Sequence, residues 1–105
     1  MTESELADDI GRRLADAAPA GSRVLLFGSR ARGEADVGSD YDILVIEPVV
    51  ANSAEESVRL RRVLKGLRVP VDVIVVEEGL ARRRSKVRGT MVERALREGR
   101  DLART

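Results

Sequence analysis

The sequence predicts an α/β fold with a small mixed β-sheet flanked by helices. Three short, largely apolar runs bounded by turn residues indicate buried strands, and amphipathic helical patterns precede, separate and follow them. Buried strands with helices between them are typical of an α/β layer. Because 105 residues suffice for one modest core, we expect residues 1–105 to form a single domain.

The first half of the chain predicts two strands joined through a tight turn. Its predicted elements are a helix ending near Ala17, a strand over 24–27, a short helix over 29–32, a loop over 34–39 and a strand over 42–47. Thr2 or Ser4 can cap the first helix, in which leucine and isoleucine recur every four residues. Gly28 directly follows the first strand and permits a sharp change of direction.

The second half predicts one further strand and several helices. The segment S-A-E-E that starts at Ser53 fits a capping box at the beginning of a helix. Residues 70–76 form the third predicted strand, with Asp72 as its single acid. The pattern is helical over 77–99 and includes a basic segment, Arg82 to Arg88.

The composition limits the chemistry that this chain can perform. It has no cysteine and no histidine, which excludes disulfides, thiolate metal sites and the usual general base. Any catalysis must then rest on carboxylates and a hard cation. The acidic N-terminal segment lacks the apolar core of a signal sequence, and no apolar run approaches the roughly 20 residues of a membrane-spanning helix. We therefore predict a cytoplasmic protein without membrane contact.

Charge is unevenly distributed along the chain although the net charge is only +1. Residues 1–52 carry 5 Arg against 10 Asp and Glu, whereas residues 53–105 carry 14 Lys and Arg against 8 Asp and Glu. The halves therefore differ in sign, which suits an acidic partner such as a nucleotide or another protein. The alternative is that the Arg-rich helices are only solvated surfaces.

The turn at Gly28 and Ser29 has the residue types of a phosphate site. Gly28 permits close backbone approach, Ser29 offers a hydroxyl, and the N–H groups at a helix start favour an anion. By itself such a pair is also common in ordinary turns.

Two aspartates at the entrance of the second strand indicate a cation site. Asp40 and Asp42 are two residues apart, so their side chains point to the same face with Cα atoms about 6.6 Å apart. Like charges held this close repel, and Mg²⁺ commonly binds one or two carboxylates together with substrate phosphates. A solvated Asp-rich turn is the alternative.

Asp72 adds a third carboxylate on the next strand. An acid in an apolar run is costly to bury unpaired, so it requires a partner or a functional cavity. If its strand lies beside that of Asp42, three acids converge and can hold two Mg²⁺ ions roughly 3.5–4 Å apart. An ion pair between Asp72 and a nearby arginine is the alternative.

Together these residues resemble the DNA polymerase β-type nucleotidyltransferase superfamily. The pattern is Phe27-Gly28-Ser29, ten further residues, the run D-Y-D-I from Asp40, and Asp72 between valines on a later strand. Within the superfamily, G-S-R-A-R-G followed by S-D-Y-D is most similar to the minimal nucleotidyltransferases, the MntA-type antitoxins of HEPN/MNT toxin–antitoxin pairs. The resemblance covers residues 24–76, about half the chain.

The resemblance implies a polymerase β-like fold and Mg²⁺-dependent transfer of AMP from ATP to a hydroxyl. It implies that Asp40 and Asp42 bind two Mg²⁺ ions and that Asp72 completes the second metal site and activates the nucleophile. The nucleotide-binding residues that it implies are Gly28, Ser29, Arg30, Arg32 and Ser39. For Arg32, a surface ion pair with Glu34 or Asp36 is the alternative.

The resemblance also implies a protein substrate, namely a tyrosine of a cognate HEPN toxin in a hetero-oligomer. Direct nucleic-acid binding is not expected, because Phe27 and Tyr41 are the only aromatic residues and the arginines of the basic segment fan around their helix. Two alternatives remain open. One is a catalytically silent antitoxin that acts by binding, and the other is a transferase acting on a small molecule or an RNA end.

Overall fold

The computed structural model describes residues 2–105 as a four-stranded mixed sheet with five helices. The strands lie in the order β3-β2-β1-β4; β1 is antiparallel to both neighbours, and β2 and β3 are parallel. The elements are α1 Glu3–Ala17, β1 Arg23–Phe27, α2 Ser29–Arg32, β2 Tyr41–Glu47, α3 Ser53–Arg62, β3 Val71–Glu77, α4 Glu78–Arg84, α5 Met91–Glu98 and β4 Arg100–Arg104. The predicted fold class and the three predicted strands are confirmed.

Strand β4 was not predicted from the sequence. It pairs antiparallel with β1 at one edge of the sheet, and its register shifts between Val24 and Leu25. Its sequence, R-D-L-A-R, has three charged residues in five and lacks the apolar run of a buried strand. Charged residues are common on sheet edges, where they oppose pairing with other chains.

The helices cover both faces of the sheet and produce two apolar clusters. The first cluster lies between the sheet and the helices α1 and α3, and it contains Ile10, Leu14, Tyr41, Ile43, Val45 and Leu60. The second lies between the sheet and the helices α4 and α5, and it contains Leu25, Leu44, Ile46, Val76, Val92 and Ala95. Alternate residues of β2 therefore face opposite layers.

Side-chain caps set the helix starts. Thr2 caps α1 through a capping box with Glu5, as predicted for Thr2. For α3 the cap is Asn52 and not Ser53, because the Asn52 side chain accepts a 3.0 Å hydrogen bond from the Glu55 N–H. Among residues 2–105, no helix is both long and apolar enough to cross a bilayer.

Candidate active site

Gly28 directs the chain from β1 into the short helix α2, as predicted. Its φ of +74° and ψ of −158° lie in a region of backbone conformation that residues other than glycine rarely adopt. A Cβ atom at this position would lie 2.3 Å from Oδ2 of Asp42. The missing side chain therefore gives the Asp42 carboxylate its space.

The strand pairing brings the predicted acids to one end of the sheet. Asp42 pairs with Phe27 at the end of β1 and with Asp72 on the parallel strand β3. Neighbouring strands are about 4.8 Å apart, so Asp42 and Asp72 begin from adjacent backbone positions. Tyr41 is buried against the α1 layer, which leaves Asp40 and Asp42 on the opposite side of the chain.

Asp72 is more exposed than the sequence suggested. The side chain lies at the start of the edge strand β3 and is 53% exposed, so the cost of burying an unpaired acid does not arise. Arg61 of α3 lies 3.8 Å from Oδ1 of Asp72, which is the ion pair that the sequence left as the alternative. The carboxylate is therefore both paired and accessible.

The three carboxylates affect one another electrostatically. Partial burial raises the pKa of Asp42 above its ordinary value, and the charges of Asp72 and Asp40 raise it further, while Arg32 opposes them. This arrangement concentrates negative charge in a cleft that a cation would neutralise.

The donor set fits a hard cation. Asp40, Asp42 and Asp72 offer only carboxylate oxygens, which are the ligands that Mg²⁺ prefers. Within residues 2–105, however, no three acidic side chains converge closely enough to hold an ion as they stand. The three carboxylates repel one another, and Arg61 attracts Asp72. A bound divalent cation would offset this repulsion and draw the carboxylates together.

Of the three acids, Asp42 lines a cleft of about 210 Å³ that includes residues missed in the sequence. Its lining comprises Phe27, Gly28, Arg32, Asp42, Arg94 and Glu98. Arg32 is 3.1 Å from Glu34 and 3.5 Å from Glu98, so its predicted surface ion pair with Glu34 is present although it also reaches the cleft. Arg94 and Glu98 lie four residues apart on α5. They reach this cleft because α5 packs against β1, which the sequence pattern does not reveal.

Two of the predicted nucleotide-binding residues have other contacts in the structure. Arg30 stacks on the Tyr41 ring at 4.4 Å and donates to the carbonyl oxygens of Val37 and Ser39 and to the Glu3 carboxylate. The Ser39 hydroxyl accepts a 2.9 Å hydrogen bond from the Asp36 N–H. Neither residue lines the cleft; both hold the loop over 33–40 that leads into Asp40.

Comparison with known proteins identifies the family. A family model described as a nucleotidyltransferase domain matches residues 7–99. The chain therefore belongs to the nucleotidyltransferase-domain family, and the resemblance inferred from its motifs is confirmed. No curated protein is similar enough in sequence to count as a match.

Solved structures support the same conclusion. A candidate nucleotidyltransferase from Sulfolobus solfataricus, solved at 1.40 Å, is 34% identical, with 75% of this chain and 70% of that chain covered and a TM-score of 0.58. A toxin–antitoxin complex with AMP-PNP is 23% identical, and the MntA–HpeT toxin–antitoxin, solved as a variant with two Asp-to-Glu substitutions two positions apart, is 20% identical. Both cover 94% of this chain and 73% of the other, with TM-scores of 0.64 and 0.61. The fold is that of polymerase β-like nucleotidyltransferases.

Proposed function

We propose that this protein is an antitoxin that transfers AMP from ATP to a tyrosine hydroxyl of a partner HEPN toxin, as a single domain in the cytoplasm. The observation that carries the proposal is the juxtaposition of Gly28, Asp42 and Asp72 at one end of the sheet in a nucleotidyltransferase-family chain. The fold of the toxin–antitoxin complex with AMP-PNP, an ATP analogue, supports the choice of nucleotide and of partner.

The acids are assigned to metal binding. Asp40 and Asp42 would hold two Mg²⁺ ions with Asp72 completing the second site, and the metal would neutralise phosphate charge and lower the pKa of the attacking hydroxyl. The MntA–HpeT variant supports this assignment, because its two substituted aspartates have the same spacing as Asp40 and Asp42.

The remaining residues of the cleft are assigned to the triphosphate. Gly28 and Ser29 present backbone N–H groups and a hydroxyl at the start of α2, where the β- and γ-phosphates would be received. Arg32 and Arg94 line the same cleft and offer guanidinium groups for the charge of the departing pyrophosphate. Arg30 is assigned to holding the loop over 33–40 instead of contacting nucleotide.

The proposed reaction is a nucleophilic substitution at the α-phosphorus of ATP. The acceptor oxygen forms a bond to the α-phosphorus, the bond from that phosphorus to the bridging oxygen breaks, and pyrophosphate leaves with the bonding electrons. The hydroxyl proton passes to Asp72, whose exposed carboxylate faces solvent at the start of β3. A protein acceptor suits this open position, because 53% of the Asp72 side chain is exposed.

The decisive test is intact-mass spectrometry of the protein encoded beside this chain, which the proposal expects to be a HEPN toxin, after incubation with this protein, ATP and Mg²⁺. We expect added adenylyl groups on the partner, lost with Asp40→Ala or Asp42→Ala and retained with Asp36→Asn, an exposed acid on the same loop outside the cleft. A tight complex with an unmodified partner would instead establish the silent binder. Transfer to RNA or a small molecule, with the partner untouched, would establish the other alternative.

Arg94 gives a second prediction about the cleft. We expect Arg94→Gln to raise the KM for ATP by about tenfold, which corresponds to roughly 1.4 kcal/mol for a charge-assisted contact. Arg97→Gln is the matched control, because Arg97 lies on the same helix with its guanidinium on Glu93 and Glu98. Steady-state kinetics at varied ATP measure both. Equal effects of the two substitutions would remove Arg94 from the site.

A further inference from the structure

A second cleft, of about 390 Å³, lies at the opposite end of the sheet from the acids. It opens where β1 begins and β4 ends, since Arg23 pairs with Arg104 in the sheet register. Its floor is apolar and consists of Ile46, Ala81 and Leu96. Arg23 is four residues before Phe27 on β1, which places this cleft about 13 Å along the strand from the candidate active site.

Three arginines from three different elements surround the cleft. Arg23 comes from β1, Arg104 from β4, and Arg82 from α4, where it begins the basic segment noted in the sequence. The Asp101 carboxylate is shared between Arg23 at 2.8 Å and Arg104 at 3.4 Å, and Glu78 contacts Arg82. Three guanidinium groups against two carboxylates leave a net positive charge.

Hydroxyl groups complete the lining. Ser22, Ser85 and Thr105 all border the cleft, and Ser22 is only 2% exposed. The Ser22 backbone is held by Thr105, whose hydroxyl accepts from the Ser22 N–H at 2.8 Å. The Ser22 hydroxyl itself has no hydrogen-bond partner among the described residues. The donors that the cleft presents are its guanidinium groups, because the Ser22 hydroxyl is enclosed and the hydroxyls of Ser85 and Thr105 donate to the carbonyl oxygens of Arg82 and Pro19.

We propose that this cleft binds a small phosphate monoester, with the phosphate among the arginines and the ester group on the apolar floor. Each guanidinium has five N–H donors, of which the carboxylate contacts use only a few, so the rim has donors for several phosphate oxygens. The volume falls within the range typical of small-ligand sites. Single-stranded nucleic acid fits less well, because neither Phe27 nor Tyr41 lines the cleft to stack a base.

The test is titration of the ¹⁵N-labelled full chain with phenyl phosphate and with inorganic phosphate, followed by amide NMR shifts. We expect saturating shifts at Ser22, Arg23, Ser85 and Thr105, with phenyl phosphate binding more tightly than inorganic phosphate because its ring adds contact with the floor. The double substitution Arg82→Gln and Arg104→Gln should weaken binding at least about tenfold.

A matched control distinguishes a built site from a basic surface. Arg62→Gln with Arg68→Gln removes the same charge from residues outside this cleft and should leave the affinity unchanged. Equal weakening by both double variants, shifts confined to Gly28 and its neighbours, or binding of an RNA oligonucleotide at these amides without phenyl phosphate binding would overturn the proposal.

Discussion

The two ends of strand β2 each carry an acid, and the two acids have opposite environments. Asp42 is the second residue of the strand and lies beside Gly28. It is partly exposed and faces the layer of α4 and α5. Glu47 ends the strand on the other face, where only 2% of it is exposed. Burial and the neighbouring Glu56 raise the pKa of Glu47 to about 7. The same strand therefore presents one carboxylate to a cleft and encloses the other.

The difference lies in what each acid can use to relieve its charge. At the Asp42 end, Asp40 and Asp72 add further negative charge, and the cleft is open to a cation. At the Glu47 end, Oε2 receives no hydrogen bond from the described residues, and the adjacent Glu56 is bound by Arg59 at 2.6 Å. A proton held on Glu47 relieves its charge without a ligand, while Arg59 keeps the pKa of Glu56 below its ordinary value. A raised pKa is therefore a sign of function at only one of the two ends.

The largest expected effect is a difference in transferase rate between substitutions at the two ends of β2. Asp42→Asn should lower the transferase rate by more than about 100-fold, since it removes a proposed metal ligand and even outer-sphere partners of metals matter by 10–100-fold. Glu47→Gln should leave the rate within about threefold, because Glu47 does not contact the cleft. Initial rates at saturating ATP and Mg²⁺ measure both. A similar loss in both variants would show that the Glu47 end also contributes to transfer.

Asp42→Asn should also stabilise the fold near neutral pH. The raised pKa of Asp42 means that its charged form is less favourable in the folded protein than in the unfolded chain. Urea unfolding of the same variants tests this, since Asp42→Asn should have a higher free energy of unfolding than the wild-type protein although its transferase rate is lower.

A second prediction tests why the Asp42 end needs glycine. Gly28→Ala and Gly33→Ala both place a side chain at positive φ, +74° and +73°, but only the new Cβ at 28 meets an atom of Asp42. Gly33→Ala should cost about 1–2 kcal/mol of stability and little activity. Gly28→Ala should cost more stability and abolish most activity, because the carboxylate must move. Equal activity in the two variants would show that the position of Asp42 tolerates displacement.

The structure around Asp42 could largely be predicted from the sequence, whereas little of the structure around Glu47 could. Local signals placed Gly28, the short helix and the two aspartates, because turn chemistry and strand alternation act between near neighbours. The partners of Arg30 and Arg94 depend on how distant segments pack, and no spacing along the chain encodes that. Glu47 drew no attention because an acid at a strand end is usually solvated. Strand β4 was missed because an edge strand needs no apolar run.

The third prediction concerns the pH dependence of stability at the Glu47 end. Because the pKa of Glu47 in the folded protein is about 7, above its ordinary value of 4.5, the folded protein holds a proton that the unfolded chain has released between these pH values. The free energy of unfolding should therefore fall as pH rises from about 4.5 to 7, by at most about 1.4 kcal/mol per pH unit. Glu47→Gln should flatten this slope and stabilise the protein at pH 8.

Urea unfolding from pH 5 to 8 measures the slope. Glu55→Gln is the control, because Glu55 is an exposed acid on α3, the helix of Glu56, and its substitution should leave the slope unchanged. If the wild-type protein is no less stable at pH 7 than at pH 5, Glu47 does not retain its proton in the folded state.

The smallest effect is expected from two arginines of α3, Arg61 beside the Asp42 end of β2 and Arg59 beside the Glu47 end. Arg61 is 3.8 Å from Asp72 and both side chains are 53% exposed, so Arg61→Gln should change stability by less than about 0.5 kcal/mol. Arg59 binds Glu56 and donates to the Ala17 carbonyl at 2.9 Å, so Arg59→Gln should be the more destabilising of the pair. Because Arg61 would compete with the proposed cation for Asp72, Arg61→Gln should not reduce the transferase rate. A loss of rate in that variant, with stability unchanged, would mean that Arg61 orients Asp72 for transfer.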